Sequence, residues 1–353
     1  MSGIFKRQRQ PFINFTATAC NSFNMTMVFA GTVIVDWGDG TSTQVTNATS
    51  ASTAFNKAYS SAFTGLVRIG GQYKNVTSFT NTVGLGMSTT AKELGKFAGL
   101  TDLDIRNHLA ISGFIIDLPR VTGQLILQNL TNLTLTGAAI DLPRVTVLLF
   151  LINLPNLTIT GTIVDLPRVT LDLSLQSLPN LTLTGTSIDF PRVTRDFNLT
   201  ILINLTVTGV IVNLPRVTRV FILQNLPNFT NTGTTNDIPR VVNTLFIQTL
   251  VNLTITGSAI NLPLSNDIFI DVTNSTITNP TNGVLRTVKS RTEIRQTTRL
   301  STADTDRYLN DSALYSTTWN APRNITLSSL GRTSASDTAV TTLNGSSVTI
   351  TLV

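Results

Sequence analysis

IDLPRVT at Ile116–Thr122 returns as IDLPRVT at Ile140–Thr146, VDLPRVT at Val164–Thr170 and IDFPRVT at Ile188–Thr194. Looser copies follow: VNLPRVT at Val212–Thr218, NDIPRVV at Asn236–Val242 and INLPLSN at Ile260–Asn266. The prolines set the period, since Pro119, Pro143, Pro167, Pro191, Pro215, Pro239 and Pro263 stand 24 residues apart. A Thr-Gly phrase keeps the same step, from Thr136-Gly137 to Thr256-Gly257. A fixed period of this size marks a solenoid or array, whose units cannot bury an apolar face alone.

Each repeat contains a weaker half-repeat, LPRVTLDLS at Leu166–Ser174 against LPNLTLTGT at Leu178–Thr186. Both runs alternate apolar and polar residues and are rich in Val, Ile, Leu and Thr, the two-residue period of half-buried strands. Proline ends one run because it lacks a ladder donor, and glycine ends the other because it tolerates turn dihedrals. The coil therefore reads as two short parallel strands joined by tight corners. Seven coils at about 4.8 Å each give an expected rod on the order of 34 Å long. Stacking aligns columns. Asn132, Asn156, Asn180, Asn204, Asn228 and Asn252 are expected to form an amide ladder, with Leu133, Leu157, Leu181, Leu205, Phe229 and Leu253 as an apolar column beside it. Arg120, Arg144, Arg168, Arg192, Arg216 and Arg240 form a basic column. Asp117, Asp141, Asp165, Asp189 and Asp237 precede five of them by three residues, and Asn213 stands in the sixth place. That pattern admits a polyanion-binding stripe or a self-neutralising Asp/Arg ladder; the expectation is the ladder, a solvated pattern of little energetic weight.

The 353 residues suffice for two or three domains, and the charged fraction is only 12% against 41% hydrophobic. No run of about 18 apolar residues occurs, so no membrane-spanning helix is expected. The net charge of +6 comes from clusters at Lys6, Arg7 and Arg9 and at Arg286, Lys289, Arg291, Arg295 and Arg299. Without aromatic interleaving or a recognised motif, nucleic acid is not an expected partner. Residues 1–11 form a basic arm with no apolar run behind it, so no secretory leader is expected there. Cys20 is the single cysteine, which excludes an intrachain disulfide and reads as a small buried hydrophobe. His108, the single histidine, falls in the Asn-column slot of an earlier coil and reads as a ladder cap. No reactive constellation or nucleotide-binding phrase is present, so no catalytic, cofactor or metal residue is assigned.

Residues 12–81 read as a β domain, with strands expected at Phe12–Thr18, Phe23–Phe29, Thr32–Gly38 and Gly65–Gly71. VDWGDGT at Val35–Thr41 ends a strand on a buried Trp37 and turns through Gly38-Asp39-Gly40, with Tyr59, Gly65 and Ile69 following in order. This resembles the PKD-like β-sandwich, although the family's histidine just before the tyrosine strand is missing and Asn56 lies nearby instead. Asp36 and Asp39 are two acids on one turn, short of the six to eight oxygens calcium takes; they are expected to cap the turn's N–H groups.

The solenoid is expected over 82–283, entered through Glu93–Ile105 and fading after Pro263, with Ile277 in the slot of Leu253. Residues 284–299 read as a basic connector. Residues 300–353 read as a small α/β cap: a helix with Ser301 as N-cap and Asp304 in its first turn, a strand at Asn324–Leu330, a short helix over Thr333–Gly345 and a last strand at Ser347–Val353. The coils resemble BspA-like leucine-rich repeats. The order of parts resembles surface and virion proteins of Bacteroidetes and their phages. The fold class expected is mainly β: a PKD-like sandwich, a leucine-rich β-solenoid of 24-residue repeats and an α/β cap. The resemblance implies adhesion or display without a reaction. The expected role is a phage virion structural protein (tail fibre, spike or capsid decoration) located in the virion. Other virion proteins, copies of itself and a host-surface glycan would be its partners. A bacterial surface adhesin is the alternative, and a glycan-degrading β-solenoid enzyme the second.

Overall fold

The computed structural model describes residues 12–83, 85–107, 109–258, 261–263, 265–272, 275–278, 288–296, 299–314, 316, 319 and 323–353. The arm at 1–11 and His108 lie outside them. The chain is mainly β and divides into two compact units, one reaching Gly161 and including Pro167–Val169, the other comprising Thr162–Leu166 and Thr170–Val353.

The first unit opens on two long antiparallel strands, β1 (Ile13–Asp36) and β2 (Ser42–Gly71). Register shifts bend them into blocks, Ile13–Ala17 against Gly65–Ile69, Ser22–Phe29 against Ala51–Ala58 and Gly31–Asp36 against Ser42–Asn47. Val33–Asp36 also pairs with Arg68–Gly71, which sets the end of β2 between two parts of β1. All four expected strand segments lie in these blocks. The pairing partners of residues 42–58 are not legible in the sequence, because all but Val45 and Phe55 there are polar or small, so the in-and-out alternation of the folded strand leaves little mark in residue type. Phe15, Phe23 and Phe79 pack together beneath, with centroids 5.3 Å apart for Phe15–Phe23 and 6.1 Å for Phe15–Phe79. Cys20 is fully buried, and that burial raises its thiol pKa.

The WGDGT turn is held by its own acids. Gly38 N donates to Asp36 Oδ1 at 3.0 Å and Thr41 N to Asp39 Oδ1 at 3.0 Å. Gly38 has φ +80°, and a Cβ there would stand 2.2 Å from the Leu66 carbonyl oxygen. Lys57 closes the other side of Asp39 at 2.6 Å. Hydrogen bonds from Lys57 and Thr41 pull the Asp39 carboxyl down to about 2. Tyr59 donates to the Trp37 carbonyl at 3.1 Å, tying β2 to the turn.

β1 also covers the start of a parallel stack. β3 (Val76–Val83) pairs antiparallel with Asn24–Phe29, and β4 (Met87–Thr90) pairs with Thr16–Ala17. A one-turn helix, α1 (Ala91–Leu94), follows. Then come β5 (Asp102–Arg106), β6 (Ala110–Phe114), β7 (Gln124–Gln128), β8 (Thr134–Ala138), β9 (Leu148–Ile152) and β10 (Thr158–Thr162). They alternate between two parallel ladders, β3–β5–β7–β9 and β4–β6–β8–β10. An antiparallel lid satisfies the donors and acceptors that a first coil would expose as a bare edge.

In the second unit the coils supply β11 (Asp172–Gln176), β12 (Leu181–Thr186), β13 (Asp196–Thr200), β14 (Thr206–Val210), β15 (Val220–Gln224), β16 (Phe229–Thr234), β17 (Thr244–Gln248), β18 (Thr254–Ser258), β19 (Ser265–Asp271) and β20 (Thr276–Thr278). The odd-numbered strands pair at a step of 24 residues from β11 to β17, as in Asp196↔Val220. The even-numbered strands pair at a step of 22 from β12 to β18, as in Thr184↔Thr206. A stagger of two residues keeps every side chain on its own face, where a stagger of one would invert them all. The expected apolar column at Leu181, Leu205, Phe229 and Leu253 is buried, and Phe197 stacks on Phe221 at 5.7 Å. This arrangement is consistent with a β-solenoid.

The stagger explains the Thr-Gly phrase. Gly137, Gly185 and Gly233 lie over Ile115, Ile163 and Ile211, and a Cβ on any of them would meet the isoleucine Cβ at 2.8–3.0 Å. In the alternate coils the residue beneath is small (Ala139, Ser187, Thr235), and Gly113, Gly161, Gly209 and Gly257 have φ between +118° and +138°. This column therefore has a true period of two coils.

Two expectations are corrected. Part of the supposed connector is a strand: β21 (Val288–Arg295) pairs parallel with β19. Its charges conceal it in sequence, yet Thr292 and Ile294 are buried, and Arg295 pairs with Glu293 at 2.6 Å. The Asn column is not an amide-to-amide ladder. Asn156, Asn204, Asn228 and Asn252 donate to the backbone carbonyls of Thr131, Pro179, Ile203 and Pro227 at 2.7–3.0 Å. A side-chain amide ladder exists elsewhere, from Asn153 to Asn129 to Asn107, at left-handed positions with φ 53–56°.

The chain ends as expected in helices and strands: α2 (Thr302–Ala313), β22 (Asn324–Leu327), α3 (Asp337–Gly345) and β23 (Thr349–Leu352). Ser301 caps α2 by accepting from Asp304 N at 3.1 Å. β22 and β23 extend the ladder beyond β21, all parallel, with a helix in each crossover. Buried Asp306 accepts from Thr333 N at 3.0 Å and from the Ser336 hydroxyl at 2.6 Å, fixing the entry to α3.

Candidate functional site

The IDLPRVT phrase forms one corner of each coil, and every residue in it has a separable task. The corner begins with a single 3₁₀ turn at Ile115–Asp117, Ala139–Asp141, Ile163–Asp165, Ser187–Asp189, Ile211–Asn213 and Thr235–Asp237. Its first residue points inward and is buried. Its second points outward, leaving Ile116, Ile140, Val164, Ile188 and Val212 between 42% and 68% exposed. The Leu or Phe that follows returns to the core, so the sequence presents an aliphatic column to solvent by design of the turn.

The aspartate is used by the backbone. Asp189 Oδ2 accepts from Thr186 N at 2.7 Å and from Thr186 Oγ1 at 2.9 Å. Asp237 does the same with Thr234 at 2.7 and 2.9 Å, and Asp165 accepts from Thr162 Oγ1 at 2.7 Å. This is capping chemistry, in which a third-position acid satisfies orphan donors at the turn's start.

The arginine is the centre of a three-residue turn. Val121 N donates to Pro119 O at 2.8 Å, Val145 to Pro143 at 2.8 Å, Val193 to Pro191 at 2.9 Å and Val241 to Pro239 at 3.0 Å. A γ-turn throws its central side chain outward. Arg120, Arg144, Arg168, Arg192, Arg216 and Arg240 are all exposed, and among the described residues none makes a hydrogen bond or an ion pair. The expected self-neutralising Asp/Arg ladder is therefore overturned. Asp165, Asp189 and Asp237 are committed to the turn, and among the described residues the arginines form no ion pair.

Acid–base pairs between coils do occur one strand away. Arg195 Nε donates to Asp172 Oδ1 at 2.8 Å and Arg219 Nε to Asp196 Oδ1 at 2.8 Å, each closed by a second bond from the same guanidinium. Asp172 is fully buried, and its bonds raise the Arg195 pKa above the ordinary arginine value.

Register at the corner is locked by threonine. Thr194 N and Oγ1 both donate to Thr170 O at 3.0 Å, and Thr218 repeats this on Thr194 at 2.9 and 3.0 Å. In the first unit Thr146 binds Thr122 O at 2.8 and 2.9 Å. Successive arginines within a unit thus stand one strand spacing apart, about 4.8 Å. Each unit has a recess along this corner. In the second unit one of about 330 Å³ is lined by Ile188, Arg192, Val212, Asn213 and Arg216. In the first unit one of about 450 Å³ is lined by Lys92, Ile116 and Arg120, among others.

A second repeated face carries no charge. Thr182, Thr184, Thr206, Thr208, Thr230 and Thr232 are exposed on the even-numbered strands of the second unit. Among the described residues no group of three His, Cys, Asp or Glu side chains could hold a metal, and no helix is long and apolar enough to cross a membrane. The freedom of the arginines was missed in the sequence, although the Thr-x-x-Asp spacing at Thr162, Thr186 and Thr234 is a capping-box phrase that gives each aspartate a competing partner.

No family model, no curated protein and no solved structure matches the chain.

Proposed function

We propose that this is a non-catalytic structural and attachment protein, a phage virion component such as a tail fibre, spike or capsid decoration. In this reading the bent β1–β2 pair is a PKD-like sandwich and the coils are BspA-like leucine-rich repeats forming a β-solenoid. The sandwich and the basic arm at 1–11 anchor the protein among other virion proteins and copies of itself, and the coils display one surface many times over to a host glycan.

The observation that carries the reading is the in-register recurrence of outward-facing side chains that the fold itself does not use. Backbone pairing, capping aspartates, the corner threonines and inward Leu and Val account for cohesion, while the outward aliphatic and arginine columns and the exposed threonines of the even-numbered strands contribute little to it. A rigid stack of parallel strands spaces such groups evenly, which suits a repetitive ligand.

Immunogold electron microscopy with antibody against the coils, on purified particles and on host cells, tests the role. Label on particles supports a virion component. Label confined to cell envelopes would replace it with a bacterial adhesin.

A further inference from the structure

We propose that the Ile/Val–Arg corner binds a linear acidic polysaccharide, laid along the stack so that its anionic groups meet successive arginines. The inference gives a ligand class and a site to the attachment role above.

Three observations lead to it. First, charge complementarity: Arg192, Arg216 and Arg240 in the second unit are exposed, in register and without protein partners. A guanidinium offers a planar fork suited to carboxylate or sulfate. Second, repetition: a cation roughly every 4.8 Å along one line matches a ligand that is itself linear and periodic. That spacing is comparable with the advance of one sugar along an extended chain. Third, the neighbouring surface is aliphatic. Ile188 and Val212 line the same recess as Arg192, Arg216 and Asn213. An anionic sugar has the matching pair of faces, C–H groups on the ring plane and a charged substituent at its edge.

The other occupants fit less well. Single-stranded nucleic acid needs aromatic side chains for base stacking, and the corner's one ring in this recess, Phe190, is 4% exposed. A membrane surface needs a broad apolar face, whereas this aliphatic column is one residue wide. A second copy would set arginine against arginine, which like-charge juxtaposition disfavours.

The test is titration of the full chain with polygalacturonate and dextran sulfate, with neutral dextran, phosphatidylglycerol vesicles and single-stranded DNA as comparators. An acidic polysaccharide is expected to bind, more weakly as salt rises. Neutral dextran is not expected to bind at the corner. The triple variant Arg192→Gln/Arg216→Gln/Arg240→Gln should weaken binding about ten-fold, from three exposed charge pairs of modest strength each. Because these side chains have no partners in the fold, the variant should keep its circular dichroism and melting temperature. Val212→Ser, which keeps all the charge, should weaken it by a smaller factor. Equal binding by the triple variant, or failure of both acidic polysaccharides to bind at low salt, overturns the proposal. Arginine-dependent binding of vesicles or DNA in their place also overturns it. Particle labelling and this titration are separate readouts, so failure of one does not imply failure of the other.

Discussion

Asn231 gives the sharpest prediction about stability. It lies in β16 between Phe229 and Gly233, facing inward and 0% exposed. The residues one and two periods before it and one period after it are Val207, Leu183 and Ile255, all fully buried. Among the described residues neither its Nδ2 nor its Oδ1 finds a hydrogen-bond partner. A buried polar group left unmade costs about 1–3 kcal/mol, and a well-placed aliphatic side chain contributes about 1.5–3 kcal/mol when fully buried. Asn231→Val should therefore stabilise by about 2.5–6 kcal/mol, with a melting temperature higher by at least roughly 5 °C for a unit of this size. Differential scanning calorimetry with the reciprocal Val207→Asn control provides the assay; the control should lose a comparable amount. An unchanged or lower melting temperature for Asn231→Val, with native circular dichroism, would refute the reasoning and mean that the amide is satisfied in solution.

Three further outcomes are expected. Ile201 has φ +53° where the same corner holds Asn129, Asn153 and Asn225; since the left-handed region costs a side-chain-bearing residue about 1–2 kcal/mol, Ile201→Asn should stabilise by about 1 kcal/mol, read as a higher urea midpoint at unchanged slope. Gly233→Ala places a Cβ 2.8 Å from that of Ile211, so it should destabilise by about 1–3 kcal/mol instead of giving the small gain usual for Gly→Ala within a strand. Ile211→Ala in the same chain should make the Gly233→Ala step cost less in a double-mutant cycle. Asp39 has its carboxyl depressed from 3.8 to about 2 by Lys57 and Thr41. A depressed carboxyl contributes stability above its unfolded value and loses it as pH falls through the folded one. The first unit should thus lose this contribution between about pH 4 and pH 2, and Lys57→Met should flatten that part of an acid titration followed by chemical denaturation. An unaltered titration in Lys57→Met would show that the pair does not set the dependence.

Much of this was legible because the repeat writes the same physics many times. Prolines at a constant step gave the coil, the strand runs and the inward leucines, and Ser301 and Asp304 gave the start of α2. What escaped was relational. The step of 22 on one ladder against 24 on the other depends on how coils shear past one another, and single residues carry no mark of it. The two-coil alternation Ile115, Ala139, Ile163, Ser187 was visible in the sequence, but its meaning required knowing that a glycine of the next coil lies above. The β2 segments in residues 42–58 are mostly polar strands, held to β1 by backbone pairing and by side chains such as Thr46 on Thr32, Asn47 on the Phe29 carbonyl and Phe55 on Phe29. The site was half legible. The arginine column was plain, but its state depended on where the aspartates spend their oxygens.

The commitment of Asp189 to Thr186, and not to Arg192, is tested most directly by a pair of double-mutant cycles on stability. Arg192→Gln should shift the unfolding free energy by less than about 0.5 kcal/mol. Asp189→Ala should cost about 1 kcal/mol as a lost cap, with its effect coupled to Thr186→Val and additive with Arg192→Gln. Coupling of Asp189 to Arg192, with none to Thr186, would contradict it and restore the self-neutralising ladder.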